Sequence, residues 1–569
     1  MSAAVRARWS SAEVPATADS LSRAGYARPL AVLLAQRGID GPEAAARFLA
    51  PRREDLVASS ELAGLSAAAQ RLATARRAGE RVLVVGDYDV DGVAATAIVA
   101  AALRSAGVEV ETLLPRRDAE GYGLQALHVE RAAELGAAVL VAVDSGTNAV
   151  EATREARRQR IDLIVLDHHL PEGVASGDRI LVNPRSSLHP PAARDLTASG
   201  LALRLAAEVL ARLERAVPWD ALLRVACLGT IADVAPLVGD NRIIAALGLA
   251  TLADSRSPGL RALLETADLR GGPVSAADVA FRLAPRLNAA GRLETADAAL
   301  ELLLARDVAR AREIARRLER LNSERQGIER RIVDEARRVA TSTGNPPPLI
   351  VEWSATWHRG VVGVAAAKLA RELHRPTILL AVDGETATGS GRSVAGIALH
   401  EFLRPWSGEL ERFGGHAQAI GLTAALPRLA SLRSRWQTAA SAWSARLQRR
   451  ERVYSLAVPP HDIDGALFEA LESLAPFGAG NEEPLFRVGP CRLRGAPRRF
   501  GNGHLGFELA EASTARGVGL EAIVWRAEER GLDPPADDFE LLGAVERDRR
   551  GRVRLRVEDL RPASGEGSD

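Results

Sequence analysis

The sequence predicts a multidomain α/β protein: a parallel sheet clothed in helices, then a long amphipathic helix, then further folded sequence ending in a small β-barrel. Three observations predict it. From Glu80 onward, short uninterrupted apolar runs alternate with helical stretches, which is the pattern of a sheet buried on both faces. Residues 307–341 carry apolar positions at i, i+3 and i+4 between dense Arg and Glu, and several short strand-like runs with turn signals crowd the last 80 residues or so, the spacing of a barrel.

The 569 residues exceed what one core organises, and a 47% hydrophobic content lets each of several domains bury its own. Net charge is +1, so any contact with a polyanion must come from local patches. The two cysteines, Cys227 and Cys491, fit no metal-finger spacing and form no disulfide framework, which points to a reducing compartment. No charged leader followed by an apolar stretch opens the chain and no apolar run is long enough to span a bilayer, so a cytoplasmic location is expected, with no membrane partner. The abundance of Ala and Arg reads as base bias.

Residues 1–78 read as a helical extension, with apolar residues at helical spacing in Pro29–Arg37 and Gly41–Leu49. Strands follow at Val82–Val85, Val108–Leu114, Ala138–Val143, Leu163–Leu166 and Ile180–Val182. Helical stretches such as Ala94–Ser105, His128–Leu135 and Ala149–Gln159 separate them. In parallel sheets ligands sit beyond the carboxyl ends of the strands. Three of these strands end there in ligand chemistry: Asp87, Asp89 and Asp91 in GDYDVDG; Asp144-Ser145-Gly146; and Asp167-His168-His169.

Alternate residues on an extended chain face one way, so the three aspartates of the first turn can converge, and charges that close require a cation or a shared proton. An EF-hand is disfavoured, because its twelfth loop position would be Ile98 rather than Glu and a strand, not a helix, precedes it. Neither G-x-G-x-x-G nor a P-loop accompanies the acidic turns. Asp233 lies in the apolar segment ACLGTIADVAPLV, where an unpaired charge is costly, and reads as a further arm of the same site.

Taken together, GDYDVDG, VDSG, LDHH and GTIADVAPL resemble the signature motifs of the DHH phosphoesterase superfamily. They are most similar to those of its RecJ single-strand-specific exonuclease branch, as are PRRDAEGYGL (115–124) and FRLAPRLNAAGRL (281–293). One departure is TASGLAL at 197–203, where the family carries a more glycine-rich sequence. The resemblance implies a DHH domain (79–260), a helical segment with its long connecting helix (261–342), an α/β DHH-associated domain (343–448) and an OB-fold-like nucleic-acid-binding barrel (449–565).

It also implies two divalent ions, Mn²⁺ or Mg²⁺, held by Asp89, Asp91, Asp144, His168 and Asp233, with Asp144 bridging. His169 would contact the scissile phosphate or assist proton transfer, and Asp87 would serve as a ligand or as an orienter of ligands. Arg117, Arg286, Asn288 and Arg292 are candidate phosphate holders, joined by Ser390, Gly391 and Arg392 of GSGRS and His416 of GGH. These glycine-rich turns let backbone N–H groups approach an anion.

In the barrel, Arg492, Arg494, Arg498 and Arg499 interleave with Phe500 and Trp525, a combination suited to neutralising phosphates and stacking bases of a single strand. The expected activity is 5′-to-3′ hydrolysis of single-stranded DNA in repair and recombination, with single-strand-binding protein and a helicase as partners. Polarity, DNA preference and partners follow from the resemblance alone. Three other readings stand beside this activity: a phosphodiesterase of short oligonucleotides or cyclic dinucleotides, a non-catalytic DHH-type scaffold, and a pyrophosphatase, which the barrel disfavours.

Overall fold

The computed structural model describes residues 7–116, 120, 123–172, 177–186, 190–447, 451–501, 503–512, 519–548 and 550–563. The chain divides into two compact units, residues 51–441 with 478–481, and residues 1–50 with 442–477 and 482–569.

The first unit is built on a five-stranded, fully parallel sheet in the order Glu109–Leu113, Arg81–Val85, Ala137–Val143, Asp162–Leu166, Ile180–Val182. Side chains alternate between two cores as the pleat demands. Val82, Val84, Val139, Val141, Ile164 and Leu166 face one core together with helices Leu65–Ala78, Val90–Ser105 and Ala198–Arg212. Leu83, Val85, Leu140, Ala142, Leu163 and Val165 face the other, beneath helices Ala126–Glu134 and Val150–Gln159. This double burial is why the strands read as continuous apolar runs.

Helix Val308–Ala340 has 33 residues, about 50 Å at about 1.5 Å per residue, and is capped by the Asp307 carboxylate, which accepts the Arg310 N–H at 2.7 Å. Its first half (Ala311, Ile314, Ala315, Leu318, Leu321) joins a helical core with Pro258–Thr266, Ala284–Leu293 and Asp297–Leu304. Its last turns (Ile332, Val333, Ala336, Ala340) enter the core of a second sheet domain. That sheet runs Arg412–His416, Ala419–Ala425, Thr386–Arg392, Thr377–Asp383, Ile350–Ser354, antiparallel except for its last pair.

The other unit holds a five-stranded barrel, Phe486–Phe500, His504–Glu511, Leu520–Val524, Val553–Pro562 and Phe539–Arg547, closed by pairing of Phe486–Phe500 with Phe539–Arg547, and strand Leu456–Val458 adds to Phe486–Phe500 outside the ring. The single helical extension expected over 1–78 divides at Pro51. Strand Arg8–Ser11 pairs in parallel with Glu451–Tyr454, and helices Thr17–Arg23, Arg28–Gln36 and Pro42–Leu49 belong to this unit, Ala18, Leu21, Leu33 and Ala45 sharing a core with Phe486, Phe507 and Phe539. Residues 51–78 belong to the parallel sheet instead. Residues from about 562 onward, which the sequence reads as a disordered tail, lie mostly outside the described residues.

Candidate metal centre and phosphate-binding cleft

The turn after Arg81–Val85 is held against the helix it feeds. Asp89 caps Val90–Ser105, its Oδ1 accepting N–H groups from Asp91 (3.0 Å) and Gly92 (3.1 Å). Gly92 allows the approach, since a Cβ there would lie 2.6 Å from the Asp87 nitrogen. Asp91 is fixed from the opposite side. Its carboxylate accepts N–H groups from Ala198 (2.8 Å) and Ser199 (3.0 Å) at the start of helix Ala198–Arg212. TASGLAL, the segment that departs from the glycine-rich pattern, thus supplies backbone donors to a predicted ligand, with Thr197 capping the helix.

Around these residues the other strand ends close in. Asp144 and Val234 sit at φ 63° and 57°, backbone conformations that non-glycine residues rarely adopt and that cluster at functional sites. His168 lies among three carboxylates: its Nε2 is 3.1 Å from Asp144 Oδ1 and 3.9 Å from Asp91 Oδ2, and its Nδ1 is 3.9 Å from Asp233 Oδ2.

Three groups of potential ligand atoms result, each within 4.8 Å: Asp87, Asp89 and Asp144; Asp91, His168 and Asp233; and Asp144, His168 and His169. All five predicted ligands are therefore gathered. Asp144 and His168 each belong to two of the groups, and Asp87 stands with Asp89 and Asp144.

The charges explain what such a site wants. Burial pushes Asp144 well above the ordinary carboxylate range, and Asp89, Asp91, Asp87 and Asp233 push it further. Burial, then Asp91 and Asp89, raise Asp233 to about 8. Burial raises Asp91 too, against the opposing pull of His168. Desolvated like charges relax when a cation joins them. Carboxylate oxygens with imidazole and no thiolate fit hard or borderline ions such as Mg²⁺ and Mn²⁺.

Asp167, to which the motifs assign no role of its own, organises the turn that carries both histidines. It accepts N–H groups from Thr147 (2.8 Å), His168 (2.8 Å) and His169 (3.2 Å), and its Oδ1 lies 2.7 Å from His169 Nδ1. Burial alone would raise it, but these bonds and the His169 charge hold its carboxyl well below the ordinary range. His169 answers in kind: burial lowers its pKa, while Asp167, Asp233 and Asp87 outweigh burial and raise it.

Thr147 ties the second and third turns together. The Asn183 amide donates to Thr147 Oγ1 and to the His169 carbonyl, each at 2.8 Å, and Arg179 donates to the carbonyls of Gly146 (3.1 Å) and Thr147 (2.5 Å). Both flank strand Ile180–Val182, a fourth strand end whose Asn183-Pro184-Arg185 was the available signal.

Tyr88, between Asp87 and Asp89, lines a cavity of about 920 Å³ shared with the second sheet domain of the same unit. Of the predicted phosphate holders, Arg292 and Ser390 line it. Arg392 stands beside them, Gly363 lying against Ser390 and Arg392 alike, with one guanidinium nitrogen on its neighbour's carbonyl. Gly391 is packed against Ile420 and Leu399. Arg286 points elsewhere, toward Glu319 at 2.5 Å and the Arg282 carbonyl at 2.5 Å. Asn288 is half-buried on the same helix and His416 is exposed at the end of an edge strand; neither lines the cavity. Arg117 lies outside the described residues. The cavity instead exposes Arg116, Arg317, Arg359 and Arg412, each within or beside a stretch of basic or glycine-rich sequence.

In the barrel unit Phe500, His504 and Trp525 form one aromatic cluster, ring centroids 4.9–6.0 Å apart. Arg498 lies 5.7 Å from the Phe500 ring and Arg554 5.9 Å from the Trp525 ring. Arg492 is ion-paired with Asp538, Arg499 with Asp533 at 2.5 Å, and Arg494 is exposed on the same strand.

Comparison with known proteins meets this architecture at every domain. Residues 81–230 match the DHH family N-terminal domain, 347–441 the DHHA1 domain and 454–559 the RecJ OB domain. A single-stranded-DNA-specific exonuclease RecJ of Bacillus subtilis is 35% identical over 475 residues, covering 82% of this chain; the chain spans 59% of that relative's length. RecJ of Dickeya dadantii is 35% identical over 479 residues, covering 80% of this chain and 82% of the relative. The crystal structure of Thermus thermophilus RecJ in complex with Mn²⁺ superposes with a TM-score of 0.84 at 31% identity, covering 98% of this chain and 80% of that one. The chain belongs to the RecJ family of DHH phosphoesterases.

Proposed function

We propose that this protein hydrolyses phosphodiester bonds of single-stranded DNA stepwise from the 5′ end, with two divalent ions, Mn²⁺ or Mg²⁺, held by Asp87, Asp89, Asp91, Asp144, His168 and Asp233. The observation that carries the reading is the convergence of Asp87, Asp89 and Asp144 with Asp91, His168 and Asp233 at one sheet edge, with Tyr88 beside them lining an arginine-rich cavity. Two bound ions would clamp an in-line displacement and make an attacking water more acidic.

The chain's own groups do the rest. Asp144, 3.1 Å from His168 Nε2 and grouped with Asp87 and Asp89, would be available to both ions. Asp167 fixes His169 through Nδ1, so Nε2 is the nitrogen that holds or passes a proton at the phosphate. Arg292, Ser390 and Arg392, with Arg116, Arg359 and Arg412, offer donors to the terminal phosphate and the backbone behind it. In the barrel unit, Phe500 and Trp525, flanked by Arg498 and Arg554, present stacking faces and charge for the trailing strand; Arg492, Arg494 and Arg499 would add charge, two of them by exchanging an aspartate for phosphate. The 5′-to-3′ polarity, the role in repair and recombination, a cytoplasmic location and cooperation with single-strand-binding protein and a helicase are supported by family membership. Among the described residues no helix is long and apolar enough to cross a membrane.

The test is digestion of end-labelled DNA with Mn²⁺, comparing single strands with blunt duplex and 5′ with 3′ labels, beside Asp144→Ala. Mononucleotides released from the 5′ end of single strands, and none from the variant, are expected. Inert long strands with cleaved dinucleotides would move the reading to short oligonucleotides.

A further inference from the structure

Strand Ile180–Val182 runs parallel to Asp162–Leu166 with Val182 opposite Leu166. Arg185 therefore leaves the sheet three residues beyond Val182, as His169 does beyond Leu166. The Asn183 side chain, 1% exposed, locks the two turns together: its amide donates to the His169 carbonyl and to Thr147 Oγ1, and its Oδ1 accepts the Arg185 backbone N–H at 2.9 Å. The main chain at Arg185 is thus fixed with respect to the histidine pair, while its guanidinium is held loosely. Its nearest acid among the described residues, Asp195, stands 3.9 Å away, too far for a hydrogen bond, and about a third of the side chain is exposed.

Asn183 holds the Arg185 turn against the His169 turn, and the guanidinium charge reaches His168 and Asp233, a minor influence on each beside burial and the neighbouring carboxylates. The sum of charge at the site leaves room for it. Five carboxylates against two dications leave one negative charge before substrate arrives; a phosphodiester brings a second, and the transition state develops more on its oxygens. Asp167 already balances His169. A cation without a tight partner at this edge is what the developing charge needs.

We propose that Arg185 is a further catalytic residue, whose guanidinium contacts a non-bridging oxygen of the scissile phosphate and stabilises the charge that develops there. This rests on the hydrolytic reading above. No bond to Arg185 forms or breaks: its N–H groups hydrogen-bond an oxygen that the attacking water makes more negative, and its proton stays with it because arginine remains charged at any working pH.

The experiment is steady-state digestion of 5′-labelled single strands by the full chain with Arg185→Ala and Arg185→Lys, alongside Mn²⁺ titrations of each and assays with guanidinium chloride at sub-denaturing concentration. The clamp uses the backbone N–H of residue 185, so Arg185→Ala leaves it in place. The expected result is a loss in kcat of roughly 10²- to 10³-fold, the size seen when one preorganised donor to a developing charge is removed, with KM and Mn²⁺ affinity within about threefold. Arg185→Lys should recover part of kcat, and guanidinium should partly rescue Arg185→Ala but not Asp144→Ala. A kcat for Arg185→Ala within about threefold of the parent, on the scale set for such donors, overturns the assignment, as does a loss that follows weakened Mn²⁺ binding with no rescue. An inactive parent would instead count against the hydrolytic reading itself, so the two failures are separable.

Discussion

His169 Nδ1 lies 2.7 Å from Asp167 Oδ1, a carboxylate that also accepts backbone N–H groups from Thr147 and His168. One side chain thus sets the ring orientation of His169 and the geometry of both flanking turns. Carboxylate–histidine pairs of this kind fix the tautomer and raise the basicity of the far nitrogen.

Asp167→Asn should lower kcat by roughly 10- to 100-fold, the range for outer partners of a site histidine, while Mn²⁺ binding falls less. The sign of the pH effect follows from the cause. Asp167 raises His169 against the effect of burial, so removing its charge lowers His169, and the limb of the pH–rate profile governed by His169 moves to lower pH. A profile that stays in place while kcat drops would separate Asp167 from His169 and make it a purely structural anchor.

Gly229 marks where the helix Trp219–Ala232 presses on the metal centre. A Cβ there would lie 2.4 Å from Ser199 Oγ and 2.6 Å from Asp91 Oδ1, and Ser199 is itself bonded to the Ala226 carbonyl at 3.1 Å. Neither neighbour is the loose end of a flexible side chain. Gly229→Ala should therefore displace the Asp91 carboxylate, weakening Mn²⁺ binding at least tenfold, and destabilise the domain by about 1–3 kcal/mol as overpacking does. Calorimetric titration with Mn²⁺ and thermal denaturation read the two effects. Parent-like affinity in a folded variant would mean that Asp91 is not needed for the metal.

The convergence of the acidic strand ends was legible in the sequence because it follows local rules, while the division into ligands came from the family resemblance. Carboxylates at alternate positions after an apolar strand, and strand ends that share one edge, converge whatever the details of packing. The role of Asp167 was hidden, since the donors that it accepts from, Thr147 among them, are brought to it only by the fold. The arginines were harder to assign. Arg286 and Arg292 lie six residues apart on one helix, hence on different faces at about 3.6 residues per turn, and only the fold decides that Glu319 takes the first while the cleft takes the second. The split at Pro51 was equally out of reach. A four-residue strand carries too little periodicity to announce itself, and the partner of Arg8–Ser11 lies at the other end of the chain. In the barrel, the aspartates facing Arg492 and Arg499 come from distant segments.

Away from the metal centre, Asp240 makes stability itself depend on pH. It is 1% exposed in the first turn of helix Gly239–Leu252; its Oδ1 accepts the Val57 N–H at 3.1 Å, and its Oδ2 has no hydrogen-bond partner among the described residues. Burial raises its pKa to about 6, against the opposing pull of the Val57 bond and the Arg204 charge. In the unfolded chain the group ionises near the ordinary value of about 3.9. Between these values the folded protein binds a proton that the unfolded chain does not, so this contribution to stability is full below about pH 4, falls as pH rises, and is lost above about pH 6. Keeping the buried carboxylate ionised at high pH costs about 3 kcal/mol at most. Asp240→Asn keeps an acceptor for Val57 without the buried charge, and should be as stable as the parent at pH 8, or more so by about 1–2 kcal/mol, once the uncompensated amide N–H is counted. Asp233, raised to about 8, also adds a pH dependence, so the measure is the difference between parent and variant melting midpoints at pH 5 and at pH 8. That difference should shift in favour of the variant as pH rises; a constant offset would show that Asp240 stays ionised throughout and that Arg204 compensates it fully.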